Sequence, residues 1–154
     1  MAQYLLDTGV LLGYLRGSPY AAFIEQRYSP FLFPNIAAIS IVTNGELHSL
    51  ALQSNWGAKK LRDLDDLLRK TPHFDINHES ILHSYAEIDA FSQDKLASQS
   101  LPQGMSARNM GKNDLWIAAT ATVFNATLIT TDYDFNHLNG IFLPVIVIDP
   151  KTKP

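Results

Sequence analysis

Four acidic residues stand where an apolar stretch of the chain ends or where an apolar helical pattern begins. They are Asp7, Glu46, Asp114 and Asp132. Carboxylates gathered in one place repel one another, and a bound cation relieves that repulsion. Oxygen ligands around an open, hydrated position suit Mg²⁺ or Mn²⁺, and such an ion can activate water against a phosphate ester. The acids therefore predict a metal-dependent phosphodiesterase, provided that the fold brings them together.

The elements that must position these acids alternate between short apolar stretches and helical patterns, which is typical of βαβ units and a parallel sheet. The predicted strands are Tyr4–Leu6, Ile36–Val42, His73–Ile76, Ala126–Thr131 and Val145–Ile148. The predicted helices are Val10–Leu15, Tyr20–Tyr28, Thr43–Gln53, Ala58–Lys70, Glu79–Leu96 and Asp114–Phe124. We expect an α/β domain with a central parallel sheet of about five strands flanked by helices. Ligands of open α/β sheets bind at the carboxyl edge of the strands, where the acids should meet.

Length and composition indicate one domain over residues 1–150, with a short tail at 151–154. The chain has 154 residues, 46% hydrophobic and 18% charged, which is ordinary for a globular protein. It has no cysteine, which excludes disulfides and thiolate metal sites. No apolar stretch is long enough to span a membrane, and the N-terminus does not resemble a signal peptide, so a cytoplasmic location is expected. Residues 97–110 form the one irregular polar stretch, which we expect to be a mobile loop.

Each of the four positions has an ordinary structural alternative, which for Asp132 or Asp134 is a turn after a strand. Asp7 is suited to cap a helix N-terminus. Glu46 follows Thr43 at the spacing of a capping box, in which its carboxylate would bind the backbone instead of a metal. Asp114 lies where a helix dipole favours negative charge, and Asn113 before it could be the cap, leaving the Asp114 carboxylate free. Each alternative is reasonable alone, but their joint occurrence at strand ends and helix starts favours a shared site.

Asp132 and Asp134 compete for the fourth position. If the strand ends at Thr131, Asp132 is the first residue beyond it and the closer of the two to Asp7. Asp134 would then cap a short helix beginning at Phe135. If the chain instead stays extended, both carboxylates face the same side and can share a metal's water shell. We favour the first arrangement.

The histidines do not support a zinc site. His78 and His83 resemble a zinc-protease pattern with one residue too many, and on a helix they would lie about 140° apart. His48 and His137 are expected at the surface or at helix ends. The chain also lacks a phosphate-binding glycine loop and a nucleophile elbow, which leaves a nucleotide-binding or serine-hydrolase function unsupported.

Four stretches resemble the PIN-domain family, and more narrowly the toxins of VapBC type II toxin–antitoxin systems. They lie at residues 5–8, 40–47, 111–121 and 127–135, in the order in which the family has them. The most specific is Gly-Lys-Asn-Asp-Leu-Trp-Ile-Ala-Ala-Thr-Ala at 111–121. The resemblance implies a parallel sheet flanked by helices, a Mg²⁺-dependent endoribonuclease site of three or four acids, a homodimer, and a cognate antitoxin protein.

Carried onto this chain, the resemblance gives each site residue a role. Asp7 and Asp114 would bind the metal directly, and Glu46 and Asp132 would complete the site directly or through water. Residues expected to orient these carboxylates are Thr8, Asn113 and Asp134, and Arg108 and Lys112 are candidate contacts to RNA phosphate. Water would be the nucleophile, leaving a 5′-phosphate and a 3′-hydroxyl without use of the RNA 2′-hydroxyl.

Two other functions fit the sequence less well than the nuclease. A catalytically silent PIN-like module that holds RNA or protein partners would need none of the acids, so their completeness argues against it. A receiver-type phosphoacceptor domain would need a lysine after a late strand, and none follows Ala126–Thr131. The N-terminal helices also carry a surplus of apolar side chains, which favours a groove for a partner such as an antitoxin: Leu11, Leu12, Tyr14, Leu15, Tyr20 and Phe23.

Overall fold

The structure is a computed structural model that describes residues 1–154. Its strands are β1 (Gln3–Leu6), β2 (Ile36–Ser40), β3 (His73–Phe74), β4 (Thr127–Thr130) and β5 (Val145–Val147). Its α-helices are α1 (Thr8–Arg16), α2 (Pro19–Tyr28), α3 (Ile41–Gln53), α4 (Ala58–Lys70), α5 (Glu79–Ser92) and α6 (Lys112–Val123). A 3₁₀ helix spans Tyr133–Leu138.

All five strands lie in one parallel sheet in the order β3-β2-β1-β4-β5. This confirms the predicted α/β fold with a five-stranded parallel sheet flanked by helices. The central strand β1 pairs with β2 on one side and with β4 on the other, with Leu5 opposite both Ala38 and Leu128. The chain segments that follow β1, β2 and β4 therefore leave the sheet at the same edge.

The core is divided between the two faces of the sheet. Successive residues of a strand point to opposite faces, so Leu5 packs in one cluster and Leu6 in the other. The cluster around Leu5 includes apolar residues of α5 and α6, and the cluster around Leu6 includes residues of α1 to α4. This three-layer arrangement holds the carboxyl edge of the sheet between the starts of α1, α3 and α6.

Several predicted boundaries differ from the structure by two residues or more, and two of them were wrong for a local reason. The strand predicted to reach Val42 ends at Ser40, whose hydroxyl accepts a hydrogen bond from the Val42 amide at 3.1 Å and caps α3. The helix predicted to reach Leu96 ends at Ser92, and Asp94 then adopts a left-handed backbone with φ 58°. In both cases a polar residue ends the element before the apolar pattern ends. Ser40 does so by accepting a backbone hydrogen bond, and Asp94 by turning the chain.

The irregular stretch predicted at 97–110 is confirmed as lacking helix and strand. Its end is attached to the core, because the Arg108 amide donates to the Ser92 carbonyl at 2.7 Å and Met110 is buried. None of the helices combines the length and the apolar character that crossing a bilayer requires.

Candidate active site

Asp7 lies at the junction of the two central strands. It follows β1, and its amide donates to the Ile129 carbonyl of β4 at 3.0 Å. One carboxylate oxygen accepts from the Thr8 amide at 2.7 Å, so the predicted N-cap role is confirmed. The other oxygen accepts from the Thr130 hydroxyl at 2.6 Å. Capping and a site role are therefore not alternatives for Asp7, because one carboxylate sits at both the helix start and the sheet edge.

Glu46 reaches across to the start of α1. Its Oε1 accepts a hydrogen bond of 2.8 Å from the Thr8 hydroxyl. The capping box with Thr43 is wrong, because α3 already begins at Ile41 with Ser40 as its cap and Thr43 is buried inside the helix. Released from the backbone of its own helix, the Glu46 carboxylate is directed to the same edge as Asp7.

Asp114 lies in the first turn of α6. The helix begins at Lys112 with Gly111 as its N-cap, so the prediction that Asn113 caps it is wrong. The Asp114 carboxylate lies beside this cap, at an ordinary contact distance of 3.7 Å from the point where a Cβ of Gly111 would stand. Asn113 is exposed beside it. Asp114 thus lies at the same sheet edge as Asp7 and Glu46, at the start of a third helix.

Asp132 is the acid that caps the 3₁₀ helix. Its Oδ1 accepts from the Asp134 amide at 2.9 Å, and its own amide donates to the Thr130 hydroxyl at 3.0 Å. The prediction that Asp134 caps a helix begun by Phe135 is therefore wrong, since that helix begins at Tyr133. Asp132 is half-buried and Asp134 is exposed.

The four predicted acids lie close enough for their charges to affect one another's pKa. Burial raises the pKa of Asp7, the hydrogen bonds from Thr130 and Thr8 oppose that rise, and the charges of Glu46 and Asp132 add to it. Burial, followed by the charges of Asp7, Asp132, Glu46 and Asp134, raises the pKa of Asp114 from 3.8 to about 7. Among these acids, Asp134 raises the pKa of Asp114 but not that of Asp7, and it is the weakest of the four charges that act on Asp114. The acids therefore repel one another, with Asp132 more strongly coupled to the group than Asp134.

The donor set suits a hard cation in type and in charge. Its donors are all carboxylate oxygens, and the three ion pairs of the molecule join other residues, so no basic side chain neutralises the group. The side chains are not drawn together as ready ligands, because no three acidic, histidine or cysteine residues surround a common point closely enough to hold an ion. A metal would therefore have to draw the carboxylates inward or reach some of them through water.

The two basic residues predicted to contact RNA lie in different surroundings. Lys112 is exposed and borders a cavity of about 340 Å³ together with both Glu46 and Asp114. Arg108 is half-buried near His137, and its Nε is enclosed without a hydrogen-bond partner. Lys112 is therefore beside the acids, whereas Arg108 is attached to the neighbouring core.

His137 departs from its predicted surface position. It lies in the last turn of the 3₁₀ helix, as a helix-end residue would, but only 2% of its surface is exposed. Its Nε2 is 2.7 Å from the Ser92 hydroxyl, and its ring stacks at 4° to that of Phe91. Burial, with the nearby positive charge of Arg108, lowers the pKa of His137 from 6.5 to about 4.

Thr130 is the site residue that sequence reasoning missed. Its fully buried hydroxyl donates to Asp7 and accepts from the Asp132 amide, linking the two acids across adjacent strands. A threonine in a strand is common, because its branched side chain fits the pleat. Only its place two residues before Asp132, at the carboxyl end of the strand, could have suggested this role.

The fold and the acids together define a small parallel α/β protein with an acidic site at the carboxyl edge of its central strands. The PIN domain family matches residues 4–141. Ribonuclease VapC1 of Haemophilus influenzae strain R2866 is 30% identical over 127 residues, covering 82% of this chain and 84% of the relative. The chain belongs to the PIN domain family.

Solved structures agree with this assignment. A chain of VapBC-1 from nontypeable Haemophilus influenzae superposes with a TM-score of 0.70 at 28% identity, covering 94% of this chain and 97% of that one. A chain of VapBC2 from Rickettsia felis, solved bound to a promoter DNA fragment, gives a TM-score of 0.73 at 23% identity, covering 96% and 99%. The second likeness shows the shared fold.

Proposed function

We propose that this protein is a Mg²⁺-dependent endoribonuclease that acts as the toxin of a toxin–antitoxin pair. The observation that carries the proposal is the group of four mutually repelling acids, none of them paired with a base, at the carboxyl edge of a PIN fold. Curated relatives that carry the name ribonuclease VapC1 support the same reaction class. The matched solved structures are VapBC complexes, which supports an antitoxin partner.

The residues proposed to hold Mg²⁺ are Asp7 and Asp114, with Glu46 and Asp132 completing the site directly or through water. Mn²⁺ is the expected substitute. When bound, such an ion lowers the pKa of a coordinated water and polarises the phosphate. Thr8, which donates to Glu46, orients one of these carboxylates.

The chain's other polar groups would act on the RNA and on the carboxylates. Lys112 borders the cavity that contains Glu46 and Asp114, where its ammonium group can bind a phosphate oxygen. Asn113 lines the same cavity and can hydrogen-bond either the substrate or a carboxylate. Arg108 and Asp134 are proposed as more distant contributors, to RNA binding and to the charge of the site respectively.

The decisive experiment is cleavage of single-stranded RNA by the purified protein with Mg²⁺, with Mn²⁺ and with excess EDTA. Cleavage is expected only with a metal, and its products should carry 5′-phosphate and 3′-hydroxyl ends, because water is the nucleophile. Contaminating ribonucleases that use the 2′-hydroxyl leave cyclic phosphates instead, so the product ends identify the source. Full activity in EDTA would refute the metal-dependent nuclease.

A catalytically silent PIN-like binding module is the alternative. It predicts RNA or partner binding that does not change when a metal is titrated. The uncompensated acids speak against it, since mutual repulsion costs stability and serves no purpose in a module that only holds partners. A metal titration followed by melting temperature separates the two, because a nuclease site should be stabilised by Mg²⁺.

The proposed antitoxin site lies on the N-terminal helices. Leu11 is fully buried in the core and therefore unavailable, which corrects one residue of the predicted groove. The other predicted residues are partly exposed, and Tyr14 and Leu15 border a cavity of about 280 Å³ between α1 and α4. An apolar segment of a partner would fit between these helices. A homodimer is also proposed, on the family resemblance.

The toxin role has its own test in cells. Expression of the protein alone should arrest growth, and co-expression with the gene beside it should restore growth. The Asp7→Asn variant, expressed to the same level, is the matched control and should be harmless. Normal growth with folded wild-type protein present would contradict the toxin role while leaving the nuclease itself untouched.

A further inference from the structure

A second cavity lies beside the acidic site, along helix α3. It has a volume of about 470 Å³ and is lined by Val42, Gly45, Glu46, Ser49, Leu50, Gln53 and Asn113. The cavity that contains Asp114 is lined in part by the same Glu46 and Asn113. The two cavities therefore adjoin at Glu46 and Asn113, and the one along α3 is called the α3 groove below.

The α3 groove differs from the acidic site in its chemistry. Apart from Glu46 at its inner end, its polar groups are the neutral side chains of Ser49, Gln53 and Asn113. The Gln53 amide donates to the Ser49 hydroxyl at 2.7 Å. This contact leaves the Gln53 carbonyl oxygen, a second amide hydrogen and the Ser49 hydroxyl hydrogen available to a ligand. The groove thus offers neutral donors and acceptors side by side.

The floor of the groove is open to a flat ligand. Gly45 has no side chain, and a Cβ built on it would meet nothing within 4 Å. Val42 and Leu50 add apolar surface on either side. Carboxamides and hydroxyls next to apolar surface are suited to the edge and face of a nucleobase, whereas a phosphate would need the basic groups that this part of the groove lacks.

We infer that the α3 groove binds one nucleobase of a single-stranded RNA next to the bond that is cut, with Gln53 and Ser49 reading its edge. The inference rests on the proposed ribonuclease function and adds to it the residues that set sequence preference. Glu46 borders both cavities, so a base in the groove would lie next to a phosphate bound at the acids. Splayed bases read on their edges are the usual targets of sequence-specific RNA recognition.

The first test compares the cleavage-site preference of wild type and Gln53→Leu on a pool of random-sequence single-stranded RNA with Mg²⁺. Wild type should prefer one base at a fixed position beside the cut. Gln53→Leu should reduce that preference about tenfold at this position, in line with the discrimination that one carboxamide–base contact provides. Preferences at other positions should not change. Ser49→Ala should weaken the same position and no other.

The matched control is Gln26→Leu, which replaces an exposed helical glutamine on α2. It should keep the wild-type preference at every position. Because Gln53 and Ser49 are also exposed, all three variants should melt near the wild-type temperature, so a changed preference cannot be attributed to unfolding.

The second test closes the groove instead of changing its polar groups. Gly45→Gln places a side chain in open space on a helix, where glutamine has a higher helix propensity than glycine. The protein should therefore melt at or above the wild-type temperature. The KM for RNA should rise about tenfold, since the base can no longer enter, while kcat should change less.

The outcomes separate this inference from the proposed function. Wild type that shows no metal-dependent cleavage refutes the ribonuclease and the base site together. Normal cleavage with an identical preference in wild type and Gln53→Leu, and an unchanged KM in Gly45→Gln, refutes the base site alone. If Gln53→Leu or Gly45→Gln instead changes the oligomeric state in solution, the groove is an interface between copies of this chain, and the inference is wrong.

Discussion

The molecule buries ionisable groups in two regions, and they differ in how those groups are treated. At the carboxyl edge of the sheet, Asp7 is 7% exposed, and its burial, together with the charges of Glu46 and Asp132, raises its pKa. Beneath the end of α5, His137 is 2% exposed, hydrogen-bonded to Ser92 and stacked on Phe91. The first region concentrates like charge beside open cavities, whereas the second holds a neutral ring within the core.

The difference shows that a buried titratable side chain is not by itself a functional site. The neutral form of His137 is compatible with its surroundings, so its burial serves the fold. The acids are incompatible with one another in the absence of a cation, so they persist for another purpose. Substitutions in the acidic region should therefore remove activity more than stability, and substitutions at the histidine should do the reverse.

The largest effect is expected from Asp7→Asn. It removes a buried charge and a proposed metal ligand. The asparagine keeps an oxygen that can accept from the Thr8 amide, and its amide group can donate to the Thr130 hydroxyl, which donates to Asp7 in wild type. Cleavage should fall about a hundredfold or more, since even the groups that orient metal ligands contribute 10–100-fold. The melting temperature without metal should stay level or rise, because the repulsion is relieved. Asp65→Asn, on the exposed face of α4, is the control; a wild-type rate in Asp7→Asn would remove Asp7 from the site.

Asp132 and Asp134 provide the next contrast. Asp132→Asn should lose about 10–100-fold in cleavage at nearly normal stability, because asparagine also caps helices well. Asp134→Asn should keep most activity, because its carboxylate is exposed and couples only weakly to the group. Cleavage rates and melting temperatures of the two variants, measured side by side, decide which of the two residues is the fourth acid of the site. The reverse order of activity would make Asp134 the fourth acid.

Thr130→Val tests whether the orientation of Asp7 matters. The substitution keeps the shape of the side chain but removes the hydroxyl that joins Asp7 to the Asp132 amide. We expect about a tenfold loss of cleavage and a stability loss of about 1 kcal/mol. Thr130→Ser restores the hydroxyl and should recover most of the rate. A valine variant as active as wild type would show that Thr130 only fills space.

His137→Gln should affect the fold more than the reaction. It disturbs a buried hydrogen bond and a ring stack, which should lower the free energy of unfolding by about 1–3 kcal/mol, while the rate of cleavage by the folded protein changes little. In wild type the pKa of His137 is lowered from 6.5 to about 4, so its contribution to stability is present above pH 6.5 and lost as the pH falls towards 4. Urea unfolding from pH 4 to 7 should show that this loss is absent from the variant.

Asp114 should give a pH dependence of stability that has the opposite sign to that of His137. Its pKa is raised from 3.8 to about 7, so the folded state binds the extra proton, and stability without metal is lost as the pH rises from about 4 to about 7. Asp114→Asn should reduce this loss, and Mg²⁺ should offset it in wild type but less so in the variant. The measurement is best made in His137→Gln, where the histidine no longer contributes. If metal-free stability rises with pH both in this variant and in the double variant His137→Gln with Asp114→Asn, the raised pKa of Asp114 is contradicted.

Much of the fold follows from local signals in the sequence. The helix predicted at Ala58–Lys70 has those bounds in the structure, because its leucines recur at helical spacing and Gly57 precedes it. The predicted strands occur in the right places because short apolar stretches bounded by turn residues are typical of buried strands. The acids were recognisable for the same reason, since each stands at one of these boundaries.

The sequence by itself thus determined which residues are strands and helices and which acids are candidates, because those properties depend on near neighbours along the chain. Only the tertiary structure decided the strand order, which places β4 beside β1. It also decided the side-chain contacts between elements that are distant in the sequence. Thr130 binds Asp7 from 123 residues away, and Thr8 binds Glu46 from 38 residues away. The burial of His137 depends likewise on the packing of α5 against the 3₁₀ helix. No periodicity encodes such contacts, because they arise from packing distant elements around a common core.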